Sequence, residues 1–179
     1  MIRTFIALTL SDDVGDYLNS IVSSFIRAGV KASWTKPGNF HLTLKFLGDI
    51  SENLVPELSK KLSEIDTSFP QKFELTELSG FPNLKNPRVL WIGINDEISK
   101  KLVINVQQIC ESLGFESDKK PFKAHLTLGR IKNQAPSGLE DIISKIPEYN
   151  ESCFFTGLAL IKSELTKKGP IYTNLWIKD

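Results

Sequence analysis

The chain has 179 residues, of which 41% are hydrophobic and 24% are charged, as in one soluble globular domain and unlike a disordered chain. The 22 Lys and Arg residues nearly balance the 21 Asp and Glu residues, which argues against a nucleic-acid binder with a basic surface throughout. No apolar run approaches the roughly 18–20 residues that a membrane span needs. The N-terminus also lacks a signal-peptide pattern, so we expect a cytoplasmic protein that does not enter membranes.

Patterns in the first half of the chain predict alternating strands and helices. Apolar and β-branched residues predict three strands, at residues 3–10, 41–47 and 73–78. Apolar residues at helical spacing predict a helix between Ser11, as its N-cap, and Gly29, as its stop, and a second helix at 55–65. Pro and Gly within 34–39 predict a turn.

The second half repeats this order. Four strands are predicted, at residues 88–94, 125–128, 154–161 and 171–177. Asp96 is placed to cap a helix that ends at Gly114, and Ser137 and Glu140 fit a capping box before a short helix. The two cysteines, Cys110 and Cys153, are too few for a disulfide scaffold, and their apolar surroundings predict reduced thiols in the core.

The two halves are in register with each other. Ile6 and Ile92 are 86 residues apart, and His41 and His125 are 84 residues apart. A repeat of this length is too long for a solenoid unit. We therefore predict a single bilobal domain, residues 1–179, with an internal duplication whose approximate repeats are 1–80 and 86–165.

The two histidines of the chain each begin the tetrapeptide His-Leu-Thr-Leu. Side chains two residues apart on a strand share a face, so His41 should lie beside Thr43, and His125 beside Thr127, with leucines on the other face. A single histidine in a strand is more often structural than catalytic. A structural role gives no reason for the repetition, however, so we interpret the pair as functional.

The chemistry of these four side chains favours a small tetrahedral anion. Threonine hydroxyls donate hydrogen bonds to phosphate oxygens, and a histidine acts as an acid or a base near neutral pH. Two histidines on opposite sides of a phosphorus atom suit in-line displacement, one activating water and the other protonating the leaving oxygen. Neither a carboxylate cluster nor a zinc ligand set is apparent, so we predict no metal site and no cofactor.

Five segments, including both motifs, resemble the 2H phosphoesterase superfamily, and in particular the LigT/ThpR-like RNA 2′,3′-cyclic phosphodiesterases. They are Arg3–Leu8, Asn39–Gly48, Asn86–Gly93, Pro121–Arg130 and Gly169–Tyr172. The resemblance implies an α+β, bilobal fold in which two pseudo-symmetric lobes place antiparallel sheets along a central groove and helices outside. It also implies metal-independent hydrolysis of a terminal ribose 2′,3′-cyclic phosphate, in RNA 3′ ends or small nucleotides, to a 2′-phosphate.

The resemblance further assigns roles to the motif residues. His41 would donate a proton to the leaving 3′-oxygen, His125 would accept a proton from water, and Thr43 and Thr127 would hold phosphate oxygens. The motifs are nearly symmetric, so the residues themselves do not order the two histidines. Some relatives also join RNA halves through a 2′–5′ linkage, which the same acid and base would support in reverse.

Two cationic side chains follow the motifs closely. Lys45 shares the face of His41 if the strand stays regular, where it would either steer an anionic substrate or be a solvated strand-end lysine. Arg130 would point away from the site in a regular strand, but Gly129 is placed to break the alternation with a bulge. The family pattern has Arg at this position, and its guanidinium suits bidentate contact with phosphate.

Aromatic side chains provide candidates for stacking a terminal base. These are Phe5, Trp34, Phe122 and Tyr172, although a single aromatic residue of this kind more often packs in a core or loop. Besides RNA ends, a cyclic phosphate on a small nucleotide remains a possible substrate, and a nucleotide-binding module without turnover remains the alternative from another class. Nothing in the sequence demands more than a monomer.

Overall fold

A computed structural model describes residues 1–134, 137–167 and 169–179. The strands in this part of the chain are β1 Ile2–Leu10, β2 Ala32–Trp34, β3 Leu42–Ile50, β4 Gln71–Phe81, β5 Val89–Asn95, β6 His125–Ile131, β7 Cys153–Thr166 and β8 Gly169–Lys178. The α-helices are α1 Asp12–Arg27, α2 Val55–Ser63, α3 Ile98–Ser112 and α4 Leu139–Ser144, and a 3₁₀ turn, Glu52–Leu54, precedes α2.

The predicted order of strands and helices is confirmed, with local differences. Asp96 caps α3 as predicted, since its two carboxylate oxygens accept from the backbone N–H and the hydroxyl of Ser99 at 2.5 and 2.7 Å. The capping box is wrong, because α4 starts after Gly138 without a side-chain cap. The sequence analysis missed β2, which at three residues is too short to show alternation.

The strands form one continuous antiparallel path. Its order is β2-β6-β5-β4-β7-β1-β3, and β8 pairs with residues 158–166 of β7. Residues 71–73 of β4 pair with β7, whereas residues 74–81 pair with β5. Strand β4 therefore connects two sheet regions, which we call lobe A (β3, β1, β7 and β8) and lobe B (β2, β6, β5 and most of β4).

The boundary between the sequence repeats is not the boundary between the lobes. Strands β1 and β3 of the first half are completed in lobe A by β7 from the second half. Strands β5 and β6 of the second half are completed in lobe B by β4 from the first half. Each lobe thus contains strands from both halves of the chain.

The helices cover one face of these sheets. Alternate residues of β1, Ile6 and Leu8, join a large core that also includes Leu18 of α1 and Leu102 of α3. The residues between them face the other side, where Phe5 and Ala7 pack with Ala159, Ile161 and Tyr172. None of the helices described is long and apolar enough to span a bilayer. The leucines of both motifs belong to the helix side, which leaves the opposite face for the motif histidines.

Both cysteines are buried and free, as predicted. Burial raises the pKa of the Cys110 and Cys153 thiols to about 11. A buried thiol of high pKa is a poor nucleophile, so both residues are packing elements.

Candidate active site

The two motif histidines are oriented in the same way. The Nδ1 atom of His41 lies 2.7 Å from the carbonyl oxygen of Asn39, and that of His125 lies 2.7 Å from the carbonyl oxygen of Lys123. A carbonyl oxygen only accepts, so each Nδ1 carries the hydrogen and donates it. Each Nε2 atom is then free to accept a proton or, once protonated, to donate one.

The predicted faces of both motifs are confirmed. Leu42, Leu44, Leu126 and Leu128 are all buried, whereas the histidines and threonines between them are half-buried. Within the described ranges, neither Thr43 nor Thr127 uses its hydroxyl in a hydrogen bond to the protein, whereas the neighbouring Thr35 donates to the carbonyl oxygen of Thr127 at 2.8 Å. The two motif hydroxyls thus remain available to a ligand.

Aromatic rings support each imidazole on two sides. The ring of His41 lies 4.7 Å from that of Phe5 and 5.4 Å from that of Tyr172, centroid to centroid. The ring of His125 lies 5.1 Å from Phe81 and 5.9 Å from Trp91. The sequence analysis missed Phe81 and Trp91, and Trp91 pairs with Thr127 as Ala7 pairs with Thr43 in the first repeat.

Burial and nearby positive charge lower the pKa of both imidazoles. Burial lowers the pKa of His41, its hydrogen bond to Asn39 opposes this shift, and the charge of His125 lowers the pKa further. Burial also lowers the pKa of His125, against the hydrogen bond to Lys123, and the charges of Lys123 and Arg130 add to the lowering. The charge of His125 thus acts on the pKa of His41 from the other lobe.

Both motif strands contain a β-bulge directly after the threonine. In β3, Thr43 pairs with Ala7 and Lys45 with Ile6, so Leu44 is an extra residue. In β6, Thr127 pairs with Trp91 and Gly129 with Leu90, so the residue between them is extra. An extra residue reverses the alternation of the strand. The fifth residue after each histidine therefore returns to the face of the motif histidine.

Arg130 is the fifth residue after His125. The alternation break predicted at Gly129 is present, and Arg130 is exposed. Its charge acts on the pKa of His125 and on that of Tyr172, which contacts His41. Glycine is required at 129 because a Cβ there would lie 2.5 Å from the ring of Trp34. The bulge thus brings a guanidinium to the region between the two motifs.

The prediction that Lys45 shares the face of His41 is wrong. The bulge turns Lys45 toward the helices, where its side chain is only 4% exposed. Its ammonium group donates to the carbonyl oxygen of Glu116 at 2.8 Å and pairs with the Asp118 carboxylate at 2.9 Å. Lys45 therefore neither steers a substrate nor extends into solvent, and instead it holds the loop after α3 against β3.

We expect Lys45→Ala to lower the free energy of unfolding by about 1–3 kcal/mol, because it removes a buried stem and leaves the Glu116 carbonyl without its donor. Urea denaturation would measure the change. The control is Lys119→Ala in the same loop. Because the Lys119 side chain is exposed, this substitution should change the free energy of unfolding by less than about 0.5 kcal/mol. Equal stability of the two variants would contradict a holding role for Lys45.

Three of the four aromatic candidates for base stacking are packing residues. Phe5 is 3% exposed beneath His41, so it has no free face, and its predicted contact with substrate is corrected to support of the imidazole. Trp34 stacks on Phe25 at 5.7 Å, and Phe122 packs against the main core. Tyr172 remains beside His41 and half-buried, with its ring nearly perpendicular to the imidazole.

Comparison with known proteins shows the family of the chain. The family model described as LigT like Phosphoesterase matches the chain twice, over residues 8–91 and 92–172. An RNA 2′,3′-cyclic phosphodiesterase of Archaeoglobus fulgidus is 37% identical over 179 residues, which cover 97% of both chains. A protein of the same name from Aquifex aeolicus is 33% identical and covers 97% of this chain and 94% of its own.

Solved structures share the fold over nearly the whole chain. The protein TT0787 of Thermus thermophilus superposes with a TM-score of 0.81 at 29% identity and covers 98% of this chain and 96% of its own. E. coli LigT complexed with 3′-AMP superposes with a TM-score of 0.77 at 22% identity, covering 99% of this chain and 97% of its own. The bilobal α+β architecture is thus shared with these proteins.

Proposed function

Because the chain belongs to the LigT-like phosphoesterase family, we propose that it hydrolyses a terminal ribose 2′,3′-cyclic phosphate, in RNA or a small nucleotide, to a 2′-phosphate. The observation that carries this proposal is the matched pair of motif imidazoles, one on each lobe, each with its Nδ1 atom bonded to a carbonyl and its Nε2 atom free. We also expect the protein to act as a cytoplasmic monomer.

In the proposed reaction, the Nε2 atom of His125 takes a proton from water as the water oxygen attacks phosphorus. The bond between phosphorus and the 3′-oxygen breaks, and protonated His41 gives its proton to that oxygen. The product is a 2′-phosphate with a free 3′-hydroxyl, while His125 is left protonated and His41 neutral. Proton exchange with solvent restores the starting state.

The electrostatics around the imidazoles support this order of roles. Lys123 and Arg130 both disfavour the charged form of His125, which suits a group that must be neutral before it can accept a proton. Their positive charges would also stabilise the negative charge that develops on the phosphoryl oxygens, and Thr43 and Thr127 would donate hydrogen bonds to the same oxygens. The separation of about 5–7 Å that this arrangement needs between the imidazoles stays a prediction.

The same groups would support RNA joining. If a 5′-hydroxyl took the place of water, His125 would deprotonate it and the product would be a 2′–5′ linkage. The reverse of that reaction would need the opposite protonation states of the two histidines.

The direct test is incubation of the protein with EDTA and an oligonucleotide that ends in a 2′,3′-cyclic phosphate. We expect conversion to a 2′-phosphate product, since no group of three His, Cys, Asp or Glu side chains in the described ranges is arranged to hold a metal. Saturable nucleotide binding without turnover would support the binding module instead. Parallel incubation with a 2′,3′-cyclic mononucleotide would separate RNA ends from small nucleotides as substrates.

The pH–rate profile should be bell-shaped, because the active form has one histidine neutral and the other protonated. Burial lowers the pKa of both imidazoles, so the maximum of kcat/KM is expected below about pH 6.5 and the rate should fall as His41 loses its proton. A bound phosphate anion stabilises imidazolium, so kcat should peak at a higher pH. Initial rates at saturating substrate would give the pH dependence of kcat, and rates at low substrate that of kcat/KM. A flat profile from about pH 5 to 8 would contradict the acid and base roles of the two histidines.

A further inference from the structure

An exposed aromatic ring stands at the edge of the groove face. The bulge in β3 directs Phe46, the fifth residue after His41, to the face that carries this histidine. Phe46 is 65% exposed, and it is the one exposed aromatic residue in the described ranges. Its ring lies 6.0 Å from that of Phe5, which in turn lies 4.7 Å from that of His41.

We propose that Phe46 is the platform on which the base of the cyclic-phosphate-bearing nucleoside stacks, an inference that rests on the proposed function. The acid that protonates the leaving 3′-oxygen must lie beside the ribose. Since that acid is His41, the nucleoside lies on the lobe A side of the phosphorus atom. Phe46 is the exposed ring on this side, because Phe5 is covered and Tyr172 is half-buried against Phe5 and His41.

The duplicated bulge places side chains of different chemistry at the equivalent position of the two lobes. Phe46 and Arg130 are the fifth residues after His41 and His125, and the bulges place both on the groove face. On the His125 side, this position carries a guanidinium suited to phosphoryl oxygens. On the His41 side, it carries an uncharged ring suited to the π-face of any base.

A cleft at the edge of β3, on the side of Lys45 rather than that of His41, also borders Phe46. It has a volume of about 430 Å³ and is lined by Lys45, Phe46, Leu47 and residues 115–119. The Lys45 ammonium in this cleft is already paired with Asp118 and with the Glu116 carbonyl. Because this ammonium is already paired, the cleft offers little attraction for a phosphate group. Phe46 and Phe115 instead supply apolar surface.

The test compares Phe46→Ala with the wild type on two substrates that share the cyclic phosphate and differ in the base. These are 2′,3′-cyclic AMP and glycerol 1,2-cyclic phosphate, which has no base. We expect kcat/KM for cyclic AMP to fall about 5- to 150-fold in Phe46→Ala, with little change for the glycerol compound. Phe46→Trp should restore activity on cyclic AMP, because the larger ring also stacks.

The control variant is Ile104→Ala, which removes another exposed apolar side chain, 58% exposed, on α3 and should change neither rate. Urea denaturation would confirm that all variants are folded. An equal loss on both substrates, or no loss on either, would overturn the role of Phe46. If the wild type hydrolyses neither substrate, the proposed function fails. In that case, calorimetric titration with 2′-AMP still tests the platform, which is overturned if Phe46→Ala binds 2′-AMP as tightly as the wild type.

Discussion

Replacement of either motif histidine by alanine is expected to lower kcat for cyclic phosphate hydrolysis by about 10²–10⁴-fold without unfolding the protein. Each imidazole is half-buried, and its protein hydrogen bond is to the carbonyl two residues earlier, in the segment that precedes the strand. Its loss therefore leaves the leucine side of β3 or β6 intact. Rates measured by single-substrate kinetics, together with circular dichroism, would show a catalytic defect separate from a folding defect.

The residual activity of these variants also orders the two roles. A base fails when it is protonated, so His125→Ala should lose the fall in rate at low pH. An acid fails when it is deprotonated, so His41→Ala should lose the fall in rate at high pH. Exchange of these two results would mean that the acid and the base are reversed, and near wild-type rates in either variant would remove that histidine from the mechanism.

Replacement of Arg130 by methionine is expected to lower kcat by about 10²–10³-fold, the range seen when one donor to a developing oxyanion is removed. Arg130 is exposed, and its charge reaches both His125 and Tyr172, so it faces the space between the motifs. Arg130→Lys should recover part of the rate, because the charge is kept and the bidentate fork is lost.

A second readout separates this role from a structural one. The charge of Arg130 lowers the pKa of His125, so Arg130→Met should raise that pKa and move the low-pH limb of kcat/KM to higher pH. The matched control is Arg27→Met at the end of α1, where the guanidinium donates to the Ser24 hydroxyl on its own helix. Unchanged kcat and an unmoved limb in Arg130→Met would contradict a contact with the phosphoryl group.

The second motif was easier to interpret from sequence than the first because of a single glycine. Gly129 marked the bulge in β6, so the return of Arg130 to the groove face could be predicted. The equivalent position in β3 is Lys45, which carries no such signal, and regular alternation then placed Lys45 on the wrong face and overlooked Phe46. Transfer of the bulge from one repeat to the other would have predicted both side chains correctly.

By itself, the sequence determined which residues share a strand face, where most helices begin and end, and that two identical tetrapeptides carry the histidines. These features depend on the repeat of the backbone over a few residues, so they can be derived from spacing alone. The tertiary structure decided that β4 and β7 are exchanged between the halves, that Lys45 holds the loop after α3, and that Phe81 and Trp91 support His125. These features depend on pairing and packing between distant segments, where many partners satisfy the same local pattern and only the complete core selects one.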